Sequence, residues 1–90
     1  MQKIFKQQIL PTPLQAFKIQ KGARILNIQM QESNPCIWYI FDVENECEFE
    51  DITIETIGTG HFIDSESQRV YIGMYQVDIY VFHVFQQINN

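Results

Sequence analysis

Residues 23–30 read Ala-Arg-Ile-Leu-Asn-Ile-Gln-Met, and this short stretch decides the fold class. Its residues alternate between two sides, with Ala23, Ile25 and Asn27 on one side and Leu26, Ile28 and Met30 on the other. A period of two residues is the pattern of a β-strand, in which successive side chains point to opposite faces. Residues 23–30 are therefore predicted to form a strand.

The same pattern recurs along the chain on both sides of this stretch. Further strands are predicted at residues 3–9, 14–19, 36–43, 47–57, 61–63, 70–77 and 79–85, with loops at 31–35 and 64–68 and a break at Asp78. No window of ten or more residues shows a helical period, and residues 14–18 have room for a single helical turn at most. Short strands at this spacing predict an all-β, mainly antiparallel fold: one small domain over residues 1–90, built as a sandwich or a barrel-like sheet.

Composition and charge exclude several classes of function. The chain has 90 residues, is 46% hydrophobic and carries a formal net charge of -5. A protein that coats nucleic acid polymers or binds an anionic membrane would need the opposite charge. No apolar run reaches the ~18 residues of a membrane span, and the first residues do not resemble a signal peptide, so a cytosolic protein is expected. Because so short a chain buries a modest core, a homo-oligomer, either a dimer or a tetramer, is expected as well.

Two cysteines, Cys36 and Cys47, flank the turn-like stretch at residues 43–46. If that turn closes a hairpin, Cys47 lies opposite Asp42 and Cys36 opposite Thr53, several residues apart along the ladder, too far to form a disulfide. Both thiols are predicted to be reduced. Two cysteines without partner ligands also make a poor zinc site, so neither a metal nor another cofactor is expected.

The stretch Gly58-Thr59-Gly60-His61 carries the sharpest functional signal. One interpretation is an ordinary glycine turn with a histidine packed beside it, which is what the local sequence favours. The other is a nest, in which positive φ angles let successive backbone N–H groups converge on an anion, with Thr59 and His61 as extra donors. Such a nest would let an acidic protein bind phosphate.

A few other side chains are candidates for binding a ligand. Lys21 and Arg24 bracket a turn, and Arg69 enters a strand next to Tyr71. An arginine can fork onto a phosphate, although a solvated surface position is more common.

Most of the aromatic residues must belong to the core, but Trp38 and Tyr71 are candidates for stacking on a nucleobase, an interaction worth ~1–3 kcal/mol. His83 should share a strand face with Val81 and Phe85. It is either a hydrogen-bonded structural histidine or a donor to a ligand.

Catalytic machinery is scarce in this sequence. Ser65 and Ser67 occur in a loop, and nothing places either of them on a strained elbow next to a base, so an enzyme is not expected. The carboxylates Glu44, Glu46, Glu48 and Glu50 recur at alternate positions, which predicts one solvated face of a strand edge. Spaced in this way they could also imitate the phosphates of DNA and inhibit a nuclease or a CRISPR effector.

Several motifs occur in order and resemble a family of short bacteriophage proteins: KGARIL at residues 21–26, CIW at 36–38, GTGHFI at 58–63, YIG at 71–73 and FHVF at 82–85. Phe62 stands where that pattern more often has proline. The resemblance implies a viral protein that acts in the host cytoplasm. Phage proteins of this size include the sponges that sequester cyclic nucleotide signals of the CBASS and Thoeris defences, as homo-oligomers and without cleavage. By this resemblance the expected ligand is a cyclic dinucleotide or a related nucleotide.

Overall fold

The computed structural model describes residues 1–88, and these form seven β-strands and one short 3₁₀ helix. The strands are β1 (Gln2–Gln8), β2 (Leu14–Gln20), β3 (Arg24–Gln31), β4 (Asn34–Asp42), β5 (Phe49–Gly58), β6 (Arg69–Val77) and β7 (Tyr80–Gln87), and the 3₁₀ helix is Val43–Asn45. The described chain contains no α-helix, which confirms the predicted all-β class.

The strands form two antiparallel sheets. One has three strands in the order β1-β4-β3, and the other has four in the order β2-β5-β7-β6. Apolar residues on the inner faces of both sheets join in a single core, with Ile37 from the first sheet and Ile54 and Val84 from the second all at 0% exposure. The fold is thus a small antiparallel sandwich.

Two β-bulges adjust the strands that join the sheets, β3 and β6. In β3 the register shifts between Ile25 and Asn27, so Ile25 and Ile28 both contact the core. The predicted alternation had placed these two residues on opposite faces, and it was wrong because a bulge adds one residue and reverses the alternation beyond it.

The bulge in β6 contains Gly73, where the two sheets approach each other closely. A Cβ atom at this position would lie 2.8 Å from Cγ2 of Ile28, so a side chain there would push the strands apart.

The predicted hairpin between residues 36–43 and 47–57 does not form. The strands β4 and β5 belong to different sheets and are joined by the 3₁₀ helix, so the expected pairing of Cys36 with Thr53 was wrong. Both cysteines are free as predicted, Cys36 buried and Cys47 exposed.

The predicted acidic strand face is also wrong, because the carboxylates fall on different elements. Glu44 lies in the 3₁₀ helix, Glu46 and Glu48 in the connection that follows it, and only Glu50 lies in β5.

Three smaller predictions also differ from the structure. Residues 31–35, predicted as a loop, contain only a tight turn at Glu32 and Ser33 between β3 and β4. Residues 61–63, predicted as extended, do not pair as a strand, and residues 14–18 form part of β2 rather than a helical turn.

Candidate ligand-binding site

The strand β5 ends in a β-turn at residues 58–61. The N–H of His61 donates to the carbonyl of Gly58 at 3.0 Å, and Gly60, the third residue of the turn, has a φ of 88°. A positive φ at the third position is what a type II turn requires and what glycine supplies at low cost. The interpretation of this stretch as a glycine turn is confirmed.

The predicted nest of converging amides does not form at this turn. The N–H of Thr59 donates to the carbonyl of Val81 at 3.0 Å, and the N–H of His61 is used by the turn itself. Within residues 1–88 no backbone acceptor is found for the amide of Gly60. The nest prediction was wrong because the neighbouring strand β7 uses the backbone donor that the nest would need.

A glycine is required at position 58 because a side chain there would crowd the imidazole ring of His61. A Cβ atom at Gly58 would lie 3.3 Å from both Cε1 and Nδ1 of His61, closer than an ordinary contact. The absence of a side chain therefore allows the imidazole of His61 to fold back over the end of β5. This explains why glycine and histidine occur together in the stretch.

A groove of about 540 Å³ lies beside the turn. One wall is formed by Gly58, Thr59 and His61, and the other by the turn that joins β6 to β7, with the exposed residues Ile79 and Tyr80. This volume is in the range of pockets that bind drug-sized ligands, and its walls offer an aromatic ring and an imidazole ring.

A row of hydrogen-bonded side chains, Thr59, His83 and Tyr71, runs from the same turn across the outer face of the four-stranded sheet. The Thr59 hydroxyl is 2.8 Å from Nε2 of His83, and Nδ1 of His83 is 3.2 Å from the Tyr71 hydroxyl. The Thr59 hydroxyl also donates to the Val81 carbonyl at 3.2 Å. Because its one proton is used there, the neutral imidazole must donate from Nε2 to Thr59 and accept at Nδ1 from Tyr71.

Arg69 lies at the end of this row, and its guanidinium already makes hydrogen bonds within the chain. Its Nε donates to a Glu55 carboxylate oxygen at 3.1 Å, and its Nη1 donates to the carbonyl of Asp64. The guanidinium lies 5.8 Å from the centre of the Phe85 ring, and that ring is 5.1 Å from the ring of Tyr71. Arg69 therefore holds the loop at 64–68 against the sheet, and its charge is already paired with Glu55.

The other predicted site residues lie elsewhere. Lys21 precedes β3 near Glu48, at the end of β5 opposite to Gly58 and about 30 Å away along the strand. Trp38 is half-buried on the outer face of the three-stranded sheet, across from Lys6 and Asn27.

Arg24 lies in a different cleft, where its neighbours include Tyr71 and Val70. One copy of the chain thus brings together Gly58, Thr59, Gly60, His61, His83 and Tyr71, with Arg69 at the far end of the row, but not Trp38, Lys21 or Arg24.

Two groups near the site have a shifted pKa. Burial raises the pKa of the Tyr75 phenol. The pKa of Asp64 is lowered, first by the N–H of Glu66 and then by the hydroxyl of Ser67, both of which donate to its carboxylate.

Residues 1–88 contain no group of three or more histidine, cysteine or acidic side chains placed to hold a metal ion. No helix in this part of the chain is long and apolar enough to cross a membrane.

Comparison with known protein families shows to which family this chain belongs. A family model described as a domain of unknown function, DUF7352, matches residues 1–90. The chain belongs to the DUF7352 family. Neither the curated proteins nor the solved structures contain a match to this DUF7352 domain.

Sequence reasoning missed four residues that the DUF7352 fold brings to this end of the sandwich. They are Tyr80 in the groove, Phe85 beneath Arg69, and Thr56 and Tyr75 on the inner face. Phe85 had a usable signal, because it alternates with His83 and so shares its face. The other three are placed by strand pairing, which local sequence does not specify.

Proposed function

We propose that this protein binds a cyclic dinucleotide in the groove beside the glycine turn and sequesters it without cleaving it, as a bacteriophage protein that counters a host defence in the host cytoplasm. The observation that supports this proposal best is the groove of about 540 Å³ between the 58–61 turn and the β6–β7 turn. It brings the rings of His61, Tyr80 and Phe82 into one space, next to the turn that contains the Gly60 amide.

Each part of such a ligand has a partner in the groove. A nucleobase can stack on the exposed ring of Tyr80, which gains ~1–3 kcal/mol per base. A phosphate oxygen can accept from the ring N–H of His61 in the groove and from the Gly60 amide in the adjoining turn. The row from Thr59 through His83 to Tyr71 fixes the outer side of the turn, so the donors are held in place before the ligand arrives.

Charge is the reason to propose a homo-oligomer, either a dimer or a tetramer. The lining of the groove contains no lysine or arginine, whereas a cyclic dinucleotide carries two negative phosphates. In one copy Lys21, Arg24 and Trp38 lie away from the groove. We propose that a neighbouring copy supplies these cations and the indole ring, which would enclose the ligand between subunits.

A non-catalytic role fits the arrangement of the polar side chains. Both ring nitrogens of His83 are bonded, to Thr59 and to Tyr71, so no carboxylate orients this imidazole as a base. Ser67 donates to Asp64 in the loop instead of approaching a histidine. These contacts describe a structural network rather than a nucleophile with its base.

The alternative of an acidic inhibitor that imitates DNA has less geometric support. Its carboxylates do not form one strand face, and two acidic groups of the segment are paired with lysines, Glu46 with Lys3 at 2.8 Å and Asp51 with Lys18 at 2.9 Å. A regular line of free charges is what phosphate mimicry would need.

Isothermal titration with a panel of cyclic di- and trinucleotides tests the proposal. We expect saturable binding of at least one member, recovery of that nucleotide intact when the washed complex is heated, and weaker binding by a His61→Ala variant. The double variant Glu48→Lys and Glu50→Lys is the control and should bind as the wild type does. Silence across the whole panel, or release of a cleaved nucleotide, would overturn the proposal.

A further inference from the structure

The strand β1 forms an open edge of the three-stranded sheet, and within residues 1–88 its only strand neighbour is β4. The register between the two strands is continuous from Gln2 to Gln8, without a bulge. Six of the seven residues of β1 are exposed, including the apolar residues Ile4 and Phe5, at 55% and 37%. A regular edge strand with exposed apolar side chains is a place where another strand can add to the sheet.

Two hydrogen bonds at the ends of β1 show which of its backbone groups face β4. At one end, the N–H of Val43 donates to the carbonyl of Met1 at 3.0 Å. At the other end, the N–H of Ile9 donates to the carbonyl of Pro35, also at 3.0 Å. Bonded pairs recur at every second residue of an antiparallel ladder, so the odd-numbered residues of β1 bond to β4. The N–H and C=O groups of its even-numbered residues therefore point to the open edge.

The other three edge strands are less open than β1. Both β3 and β6 contain a bulge, a device that keeps an edge strand from pairing with another chain. The remaining edge strand, β2, is covered at one end, where Ile19 and Gln20 are 2% and 6% exposed. The longest regular and accessible edge is that of β1.

The two lysines of β1 are held by residues of their own chain. Exposed lysines commonly protect an edge strand from pairing. Here Nζ of Lys3 donates to a Glu46 carboxylate oxygen at 2.8 Å. Nζ of Lys6 donates to Oε1 of Gln31, on the far side of β4 in β3. Both side chains therefore bind within one copy, and the edge beside them stays accessible.

We propose that β1 pairs with the β1 strand of a second copy of this chain, antiparallel and about a two-fold axis, so that two three-stranded sheets become one sheet of six strands. Full overlap of residues 2–8 sets each even-numbered residue opposite an even-numbered residue, for example Ile4 opposite Lys6 of the partner subunit. The outward backbone groups of the two strands then meet. The carbonyl of Gln8, which accepts from Nε2 of Gln7 at 2.9 Å, has a second lone pair for this bond.

The side chains that meet in this register are compatible. Phe5 lies at the two-fold axis, opposite Phe5 of the partner subunit. Its ring already packs edge-on against Phe41 and Tyr39, at 4.8 and 6.5 Å between centroids, so the aromatic cluster continues from one copy into the next. No like charges are directly opposite, whereas a shift by two residues would set Lys6 against Lys6 of the partner subunit. The pairing uses neither the groove nor a ligand, so it is independent of the proposed function.

Sedimentation velocity of the ligand-free protein, at concentrations up to about 1 mM, tests the inference. A single strand pair is smaller than a standard interface, so we expect a weak, reversible dimer. Lys6→Pro removes an outward N–H from each copy and should weaken dimerisation about 5- to 150-fold, the equivalent of about 1–3 kcal/mol. Lys18→Pro is the matched control, because Lys18 is an exposed lysine of β2 whose N–H also points away from its neighbouring strand. It should leave the dimer unchanged.

Cysteine cross-linking in a Cys47→Ser background, which removes the exposed native thiol, tests the register. Opposite residues that are not hydrogen-bonded to each other have Cα atoms ~4.5 Å apart, within the range of a disulfide. Phe5→Cys should therefore form a disulfide-linked dimer on oxidation. Gln7→Cys, on the same face, would lie opposite Lys3 of the partner subunit and should stay monomeric.

Three results would overturn the inference. One is a monomer at every concentration, and another is a dimer that Lys18→Pro disrupts and Lys6→Pro does not, which would place the contact on β2. The third is cross-linking through Gln7→Cys but not through Phe5→Cys, which would reject the register. Dimerisation of a protein that binds no cyclic nucleotide would support the pairing of β1 and reject the sponge.

Discussion

Near the glycine turn, polar side chains on the outer face of the four-stranded sheet are hydrogen-bonded to one another, whereas two hydroxyls on its inner face have no partner. On the outer face, Thr59, His83 and Tyr71 are joined by hydrogen bonds of 2.8 and 3.2 Å, although water could reach them. On the inner face, the hydroxyls of Thr56 and Tyr75 are out of reach of water and have no partner. The outer groups therefore stabilise the turn, whereas each inner hydroxyl costs free energy because it is buried without a partner.

The largest effect is expected from removing apolar volume on the inner face. Ile54→Ala deletes a side chain that is fully buried between the sheets and should lower the free energy of unfolding by about 2–5 kcal/mol. Ile57→Ala, on the outer face of the same strand, should cost clearly less because Ile57 is only half-buried. Urea denaturation of both variants measures the difference, and equal losses would show that the outer face is buried too.

Breaking the hydrogen-bonded row on the outer face should have a moderate effect. Thr59→Val removes the hydroxyl that bridges His83 and the Val81 carbonyl, and should lower the free energy of unfolding by about 0.5–1.5 kcal/mol. Thr53→Val, on the outer face of the preceding strand β5, removes no side-chain hydrogen bond found in residues 1–88 and serves as its control. If both variants unfold at the same denaturant concentration, the row contributes no stability.

Removing an unpaired hydroxyl from the inner face should not destabilise the free protein. Tyr75→Phe relieves a buried group without a partner, so we expect the free energy of unfolding to stay the same or to rise by up to about 1 kcal/mol. Burial also raises the pKa of Tyr75 above its ordinary value of 10.0, so the unfolded chain loses this proton first. Stability should therefore fall as the pH rises past about 10.

This alkaline loss should be smaller in Tyr75→Phe and should persist in part, because burial raises the pKa of Tyr39 as well. A large destabilisation of Tyr75→Phe at neutral pH would mean that its hydroxyl has a partner after all.

The smallest expected effect concerns the exposed loop that Arg69 holds in place. Two hydrogen bonds to Asp64 keep its pKa below the ordinary value of 3.8, so its contribution to stability is present above that value and is lost as the pH falls through the lower, folded pKa. Ser67→Ala should move the pKa of Asp64 back toward 3.8, as measured by carbon NMR of the carboxyl group. A pKa of 3.8 or higher in the wild type would contradict the loop geometry.

Much of the fold could be predicted from sequence because the alternation of side chains is a local property. The pattern of Ile52 and Ile54 on one side of β5 follows directly from a two-residue period, as does the shared face of His83 and Phe85. Strand pairing is not local. The chain crosses from β4 to β5 between sheets, and nothing in residues 43–48 distinguishes a crossing from a hairpin.

The bulges and the candidate site were also not predictable, because they depend on contacts between residues that are far apart in the sequence. One extra residue in β3 reversed the alternation that was predicted for Ile25 and Ile28, and the close approach of Ile28 to Gly73 joins two strands that are far apart in the sequence. The turn at 58–61 was predictable from its glycines, but the fate of its amides depends on β7, which is more than twenty residues away. The place of Thr56 and Tyr75 next to Pro11 and Pro13 depends on distant strands and the β1–β2 connection meeting at one point.

The central claim is that the end of the sandwich at the glycine turn binds a nucleotide ligand. Backbone amide NMR spectra recorded during titration with a panel of cyclic dinucleotides test it most directly. We predict saturable shifts confined to residues 56–61 and 75–82. Shifts that concentrate in residues 44–51 instead, or the absence of saturable shifts at the turn, would contradict the claim.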